Sequence, residues 1–158
     1  NKLQFLRKSF DNLNYKKIEK IKLHTPDISE HSAIIAKNNE VRKILKKFQI
    51  NFAKKNKNCC IEGRDISSKI LPNSDIKFFF KCKLSIAAQR RHAELKKLDP
   101  FVKLIDVKKA LRIRNLLDTT RKHSPLLKHR NSVEIDTGKL NKRAMVKKMS
   151  KTVEKYLF

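Results

Sequence analysis

Ile76-Lys77-Phe78-Phe79-Phe80-Lys81-Cys82 carries three consecutive phenylalanines, with no alternation of apolar and polar positions. A strand with one face in water alternates; a continuous apolar run suits a strand buried on both faces, as in a parallel sheet covered by helices. Downstream, apolar periodicity predicts a helix over 85–98, a loop at Asp99-Pro100 and a helix over 106–120 that Ser124-Pro125 closes off. Ser132-Val133-Glu134-Ile135-Asp136 reads as another strand, and 141–156 as a closing helix. Upstream, Cys59-Cys60-Ile61 reads as a short strand that stops at Glu62-Gly63-Arg64-Asp65. Before it, helices are expected over 41–52 and over 28–37, the latter opened by Thr25-Pro26-Asp27, with Ile34 and Ile35 facing inward. Residues 16–24 alternate loosely and suit a short strand, while Leu3, Phe5, Leu6 and Phe10 have helical spacing. Strands separated by helices imply an α/β chain with a parallel sheet.

The chain has 158 residues, enough for one domain with a real core. Lys+Arg 40 against Asp+Glu 15 leaves a net charge of +25, which normally calls for a polyanionic partner. Lysine outweighs arginine and is interleaved with Asn and Ile, as in Lys54-Lys55-Asn56-Lys57-Asn58. These residues share A/T-rich codons, so base composition competes with selected binding as the source of the charge. The two glycines, Gly63 and Gly138, cannot build a G-x-x-x-x-G-K-[ST] phosphate loop. Cys59, Cys60 and Cys82 lack C-x-x-C spacing, so reduced cytosolic thiols are expected rather than a zinc site. No apolar run reaches the ~18 residues of a membrane span. The first residue is Asn1, with no signal-peptide core behind it, and truncation at the N-terminus is expected.

Four groups of residues carry candidate chemistry. Glu62-Gly63-Arg64-Asp65 follows a predicted strand, where open α/β sheets bind ligands. It is either a ligand site with a phosphate donor beside a carboxylate, or a turn with a surface ion pair. Arg114, Asp118 and Arg121 stand at i, i+4 and i+7, on one face of a predicted helix. They form either a salt-bridged solvent face or a sugar-and-phosphate site. The use of Arg in a Lys-rich chain favours the second, because planar guanidinium forks suit phosphate. Arg90-Arg91 and Arg42 lie on other predicted helices. His24, His31, His92, His123 and His129 show neither metal nor triad spacing, so a hydrolase finds no support.

Taken in order, these segments resemble the bacterial cytidylate kinase (CMP kinase) family. The resemblance lies in Ile61-Glu62-Gly63-Arg64-Asp65-Ile66, in Leu71-Pro72-Asn73-Ser74-Asp75-Ile76-Lys77-Phe78-Phe79, and in Arg90-Arg91 followed by Leu95. Arg114-x-x-x-Asp118-x-x-Arg121 before Ser124-Pro125-Leu126 is similar to that family's R-x-x-x-D-x-x-R-x-x-P-L signature, and Ile135-Asp136-Thr137 to its last strand. The likeness runs from about Lys22 to the C-terminus. It implies a P-loop nucleoside monophosphate kinase (adenylate kinase-like) three-layer α/β fold, lacking the first strand–P-loop–helix unit. Residues 1–50 would be part of the monophosphate-binding region, and 51–158 the core with a short lid insertion around 92–125.

The implied activity is phosphoryl transfer from ATP to CMP or dCMP with Mg²⁺, in the cytoplasm, by a protein that is monomeric when full length. Arg42 and Asp65 resemble the pair that reads cytosine, and Arg64 a ligand of the monophosphate. Arg114 and Asp118 resemble sugar-side contacts, with Arg114 and Arg121 the catalytic arginines and Arg121 neutralising charge on the transferring group. Arg90 and Arg91 resemble the ATP side of the lid; no protein-held metal is implied. Ala33, with Ser32 beside it, departs from a serine usual in the family, and Ser67-Ser68 from its Gly-Thr. Without a P-loop this chain alone is expected to be inactive, and open sheet edges are expected to make it poorly soluble. The rival expectation is a basic nucleic-acid-binding protein, for which no sheet signature or helix-turn-helix spacing is present.

Overall fold

In a computed structural model the described residues are 2–12, 26–36 and 38–157. Their elements are α1 (Lys2–Asp11), α2 (Pro26–Ile35), α3 (Asn39–Lys55), a single π-helical turn (Ile66–Ile70), β1 (Phe78–Lys81), α4 (Leu84–Leu95), α5 (Leu104–Thr120), β2 (Val133–Asp136) and α6 (Lys142–Leu157). The expected strand over 16–24 lies outside the described residues. The chain divides into two compact units, Asn1–Gly63 with Arg121–His123, and Arg64–Thr120 with Ser124–Phe158.

In the first unit α1 packs on α3, where the rings of Phe10 and Phe48 lie 5.4 Å apart and tilted by 44°. Asn38 caps α3: its side-chain oxygen accepts from the amides of Glu40 (2.9 Å) and Val41 (3.2 Å), two donors that the helix leaves without partners. Val41 is buried on this helix. Ile34 and Ile35 differ from expectation: both are exposed, at 55% and 52%. Two adjacent helical residues project about 100° apart, so apolar character alone does not turn both inward.

The second unit holds a two-stranded parallel sheet, with Phe78 beside Val133, Phe79 beside Glu134, Phe80 beside Ile135 and Lys81 beside Asp136. Parallel pairing requires a crossover, here built from α4 and α5, which pack on each other and bury Ala88 and Val107. Ile135 is wholly buried. The expectation of a strand buried on both faces is corrected: Phe78 and Phe79 are half-buried and Phe80 is 47% exposed. Among the described residues the sheet has two strands, so each keeps an open edge, and the register sets what lies beside each phenylalanine. Residues paired side by side share a face, so Phe79 and Lys81 stand with Glu134 and Asp136 on one charged face, and Phe78 and Phe80 with Val133 and Ile135 on the other. Glu134 there pairs with Lys81 and, at 3.0 Å, with Lys128.

Cys59-Cys60-Ile61 is a second correction. It forms no strand; both cysteines are exposed, and no partner strand stands beside them among the described residues. Past β2, the chain turns tightly at Gly138, whose amide donates to Asp136 Oδ1 at 2.9 Å. A Cβ there would stand 3.1 Å from that oxygen and 3.2 Å from Ile86 Cδ1, closer than ordinary contact, which explains the glycine.

Candidate functional site

The second unit gathers charge around one carboxylate. Asp118, in the last turn of α5, has a side chain only 13% exposed. Arg64 Nε lies 3.4 Å from its Oδ2, and Arg114 Nε, one helical turn back, lies 3.9 Å from the same oxygen. The helix supplies the second contact from sequence spacing alone, since i and i+4 are neighbours on its surface. Only the tertiary fold supplies the first, from a residue fifty-four positions away. The pKa of the Arg114 guanidinium is pulled below its ordinary value, first by burial, then by the Arg64 charge beside it, with Arg91 adding to the repulsion and Asp118 opposing it. Guanidinium stays protonated even so. Two guanidinium groups thus face a single carboxylate, with the Arg91 charge acting on one of them, and the surplus favours an anion with several oxygens.

Directly after Arg64, Asp65 is buried at 7% exposure, at the mouth of the π-helical turn. Its carbonyl accepts from the amides of Lys69 (2.9 Å) and Ile70 (3.2 Å), and the Ile66 carbonyl accepts from Leu71 at 2.7 Å. Such wide turns are rare and recur beside functional sites. Sequence reasoning missed it; the only signal is Ile66 and Ile70, both buried and four positions apart. The turn fixes the backbone from which Arg64 and Asp65 project.

The remaining arginines are placed differently. Arg90 Nη2 donates to the Thr137 carbonyl at 2.8 Å, tying α4 to the turn that follows β2. Arg91 pairs with Glu94 at 3.0 Å besides acting on Arg114. Arg42 belongs to the first unit, where its Nη1 lies 3.4 Å from the Ala36 carbonyl. Arg121 corrects the expectation of three residues on one helical face: α5 ends at Thr120, and Arg121 groups with the first unit, its Nη2 shielded from solvent. The break falls where the chain prepares for Ser124, which adopts a left-handed φ of 53° before Pro125.

Among the described residues no three carboxylate, imidazole or thiol groups converge. The one carboxylate of the arginine cluster already faces guanidinium groups, so these side chains do not fit a protein-held Mg²⁺. No helix among the described residues is long and apolar enough to cross a membrane.

Comparison with known proteins gives the family. The sequence model described as Cytidylate kinase matches residues 2–155, so the likeness starts well before Lys22. The chain is 35% identical over 133 residues to a cytidylate kinase of Caldanaerobacter subterraneus, covering 84% of this chain and 59% of that protein. It is 34% identical over 126 residues to one of Mesomycoplasma hyopneumoniae, covering 80% and 55%. Against one of Thermosipho melanesiensis the identity is 32% over 157 residues, covering 97% and 71%. The chain thus spans little more than half the length of the first two. With the match running through both units and through the arginine–aspartate cluster, the chain belongs to the cytidylate kinase family.

Proposed function

We propose that this chain supplies the monophosphate-binding side of a (d)CMP kinase, an enzyme that transfers a phosphoryl group from ATP to CMP or dCMP and yields CDP or dCDP. The observation that carries the reading is the convergence of Arg64 and Arg114 on one oxygen of Asp118, with Arg91 adding positive charge. A nucleoside monophosphate brings a dianion to the guanidinium groups and a sugar hydroxyl to the carboxylate. Asp118 holds both arginine forks in place before the ligand arrives, which lowers the ordering cost of binding. Family resemblance assigns base reading to Arg42 and Asp65, stabilisation of the transferring group to Arg114 and Arg121, and the ATP side to Arg90 and Arg91. Chemistry agrees for the base: a carboxylate accepts from the exocyclic amine of cytosine and a guanidinium donates to its ring acceptors. When bound with ATP, Mg²⁺ would shield the phosphates; nothing in this chain is assigned to hold it.

The same reading carries the finer fold: an adenylate kinase-like three-layer core over 51–158 with a lid around 92–125, part of the monophosphate-binding region in 1–50, and the first strand–P-loop–helix unit outside this chain. It also carries a cytoplasmic, monomeric full-length enzyme. Titration of the chain with CMP, dCMP and AMP tests the site. Saturable binding of CMP and dCMP in preference to AMP is expected. Arg64→Gln should weaken CMP binding about 10- to 100-fold, the worth of one charge-assisted hydrogen bond of ~1.5–3 kcal/mol. CMP binding unaffected by Arg64→Gln would refute the assignment.

A further inference from the structure

Arg90 and Arg91 are neighbours in sequence, yet they serve different faces of α4. Arg90 Nη2 donates to the Thr137 carbonyl at 2.8 Å, across forty-seven positions of sequence. That acceptor is itself held in place. The Thr137 amide and hydroxyl both donate to the Lys81 carbonyl, at 2.9 and 3.1 Å, closing the end of β1 onto the turn after β2. One helical turn before Arg90, Ile86 meets the same turn, its Cδ1 3.2 Å from where a Cβ on Gly138 would stand. Residues at i and i+4 share a helix face, so α4 is seated on this turn at two points of one face. Arg91 projects about 100° further round the helix. There its charge acts on Arg114 of α5, and one of its nitrogens lies 3.0 Å from Glu94.

We propose that Arg90 is a positioning residue of the monophosphate site: its bond to the Thr137 carbonyl fixes the rotation of α4, and with it the place of Arg91 relative to Arg114. This rests on the reading of the Arg64–Arg114–Asp118 cluster as that site, and adds a residue that shapes the site without touching the ligand. Family resemblance groups Arg90 with Arg91; the geometry gives Arg90 a task of its own. The physical reason is repulsion. Like charges on α4 and α5 push the two helices apart when no anion lies between them. A hydrogen bond from the residue next to Arg91 opposes that push. The arginines then stand in place before the anion arrives, and less ordering is left for binding to supply. The task needs one donor of the right length rather than a planar fork, so a lysine ammonium can perform it.

Calorimetric titration of the whole chain with CMP, below the melting temperature of every variant, tests the assignment. Arg90→Met removes the donor and should weaken CMP binding about 3- to 10-fold, while Arg90→Lys, which keeps a donor, should stay within about twofold. Arg91→Gln should weaken binding at least as much as Arg90→Met. In the Arg91→Gln background, Arg90→Met should add no further loss, because the side chain it places is gone. A lower melting temperature in Arg90→Met with unchanged CMP affinity overturns the proposal, since the bond then serves the fold alone. An equal loss with and without Arg91 also overturns it, since Arg90 then acts on the ligand independently. Arg64→Gln separates the two readings. CMP binding that is absent or indifferent to Arg64→Gln overturns the monophosphate site and this proposal together. Binding that responds to Arg64→Gln but not to Arg90→Met overturns this proposal alone.

Discussion

Asp118 shows how one position gathers charge: a short side chain, mostly buried, faces guanidinium groups from its own helix and from the segment before the π-helical turn. Charged residues on the sheet follow the same electrostatic rules with weaker consequences. Hydrogen bonds from Lys81 and then Lys128 hold the Glu134 carboxyl below its ordinary pKa, while the hydrogen bond to Glu134 raises that of the Lys81 ammonium. A depressed carboxyl adds stability above its unfolded pKa and loses it as pH falls through the folded value. A raised ammonium adds stability below its unfolded pKa and loses it as pH climbs through the folded one. Denaturant midpoints across pH should therefore fall at both the acid and the alkaline end, and Glu134→Gln should shallow both limbs slightly, because these groups face solvent. Unchanged limbs in Glu134→Gln would show that the network contributes nothing. At Gly138 the expectation is steric. Gly138→Ala pushes a methyl against Asp136 and Ile86 and should cost about 1–3 kcal/mol, read as a lower urea midpoint with an unaltered slope.

At the scale of elements, α3 was legible over 41–52 from its apolar period, while the Asn38 cap and the first residues after it came only with the structure. Asn38→Ala removes the acceptor for two amides and should lower stability by ~1 kcal/mol, a fall of roughly 2–4 °C in melting temperature for a chain this long. An unshifted melt would mean that water replaces the cap without loss. α4, α5, β2 and α6 lie within a few residues of their expected bounds for the same reason, that periodicity and terminators act over short range. The π-helical turn was not legible, since its i+5 hydrogen bonds follow from what surrounds Ile66 and Ile70 rather than from a residue preference. Cys59-Cys60-Ile61 failed as a strand because a strand exists only with a partner, and partnership is not local.

For the whole molecule, charge and family pull in different directions. The +25 charge invites polyanions, yet the family that matches the chain is a kinase family and lends no support to a nucleic-acid role. With glycine only at positions 63 and 138, this chain has no G-x-x-x-x-G-K loop to cradle β- and γ-phosphates. Incubated alone with ATP, Mg²⁺ and CMP it should form no CDP above a protein-free control; steady CDP formation would require another phosphate cradle. What the sequence determined by itself was whatever depends on near neighbours: helix periods, the Arg114–Asp118 spacing and the ordered motifs of a family. Tertiary structure alone decided that Arg64 reaches Asp118, that Arg121 leaves the helix, and that Phe80 stays half open. Each of these depends on which distant segment lies opposite, and no local pattern encodes a neighbour that the chain must fold to meet.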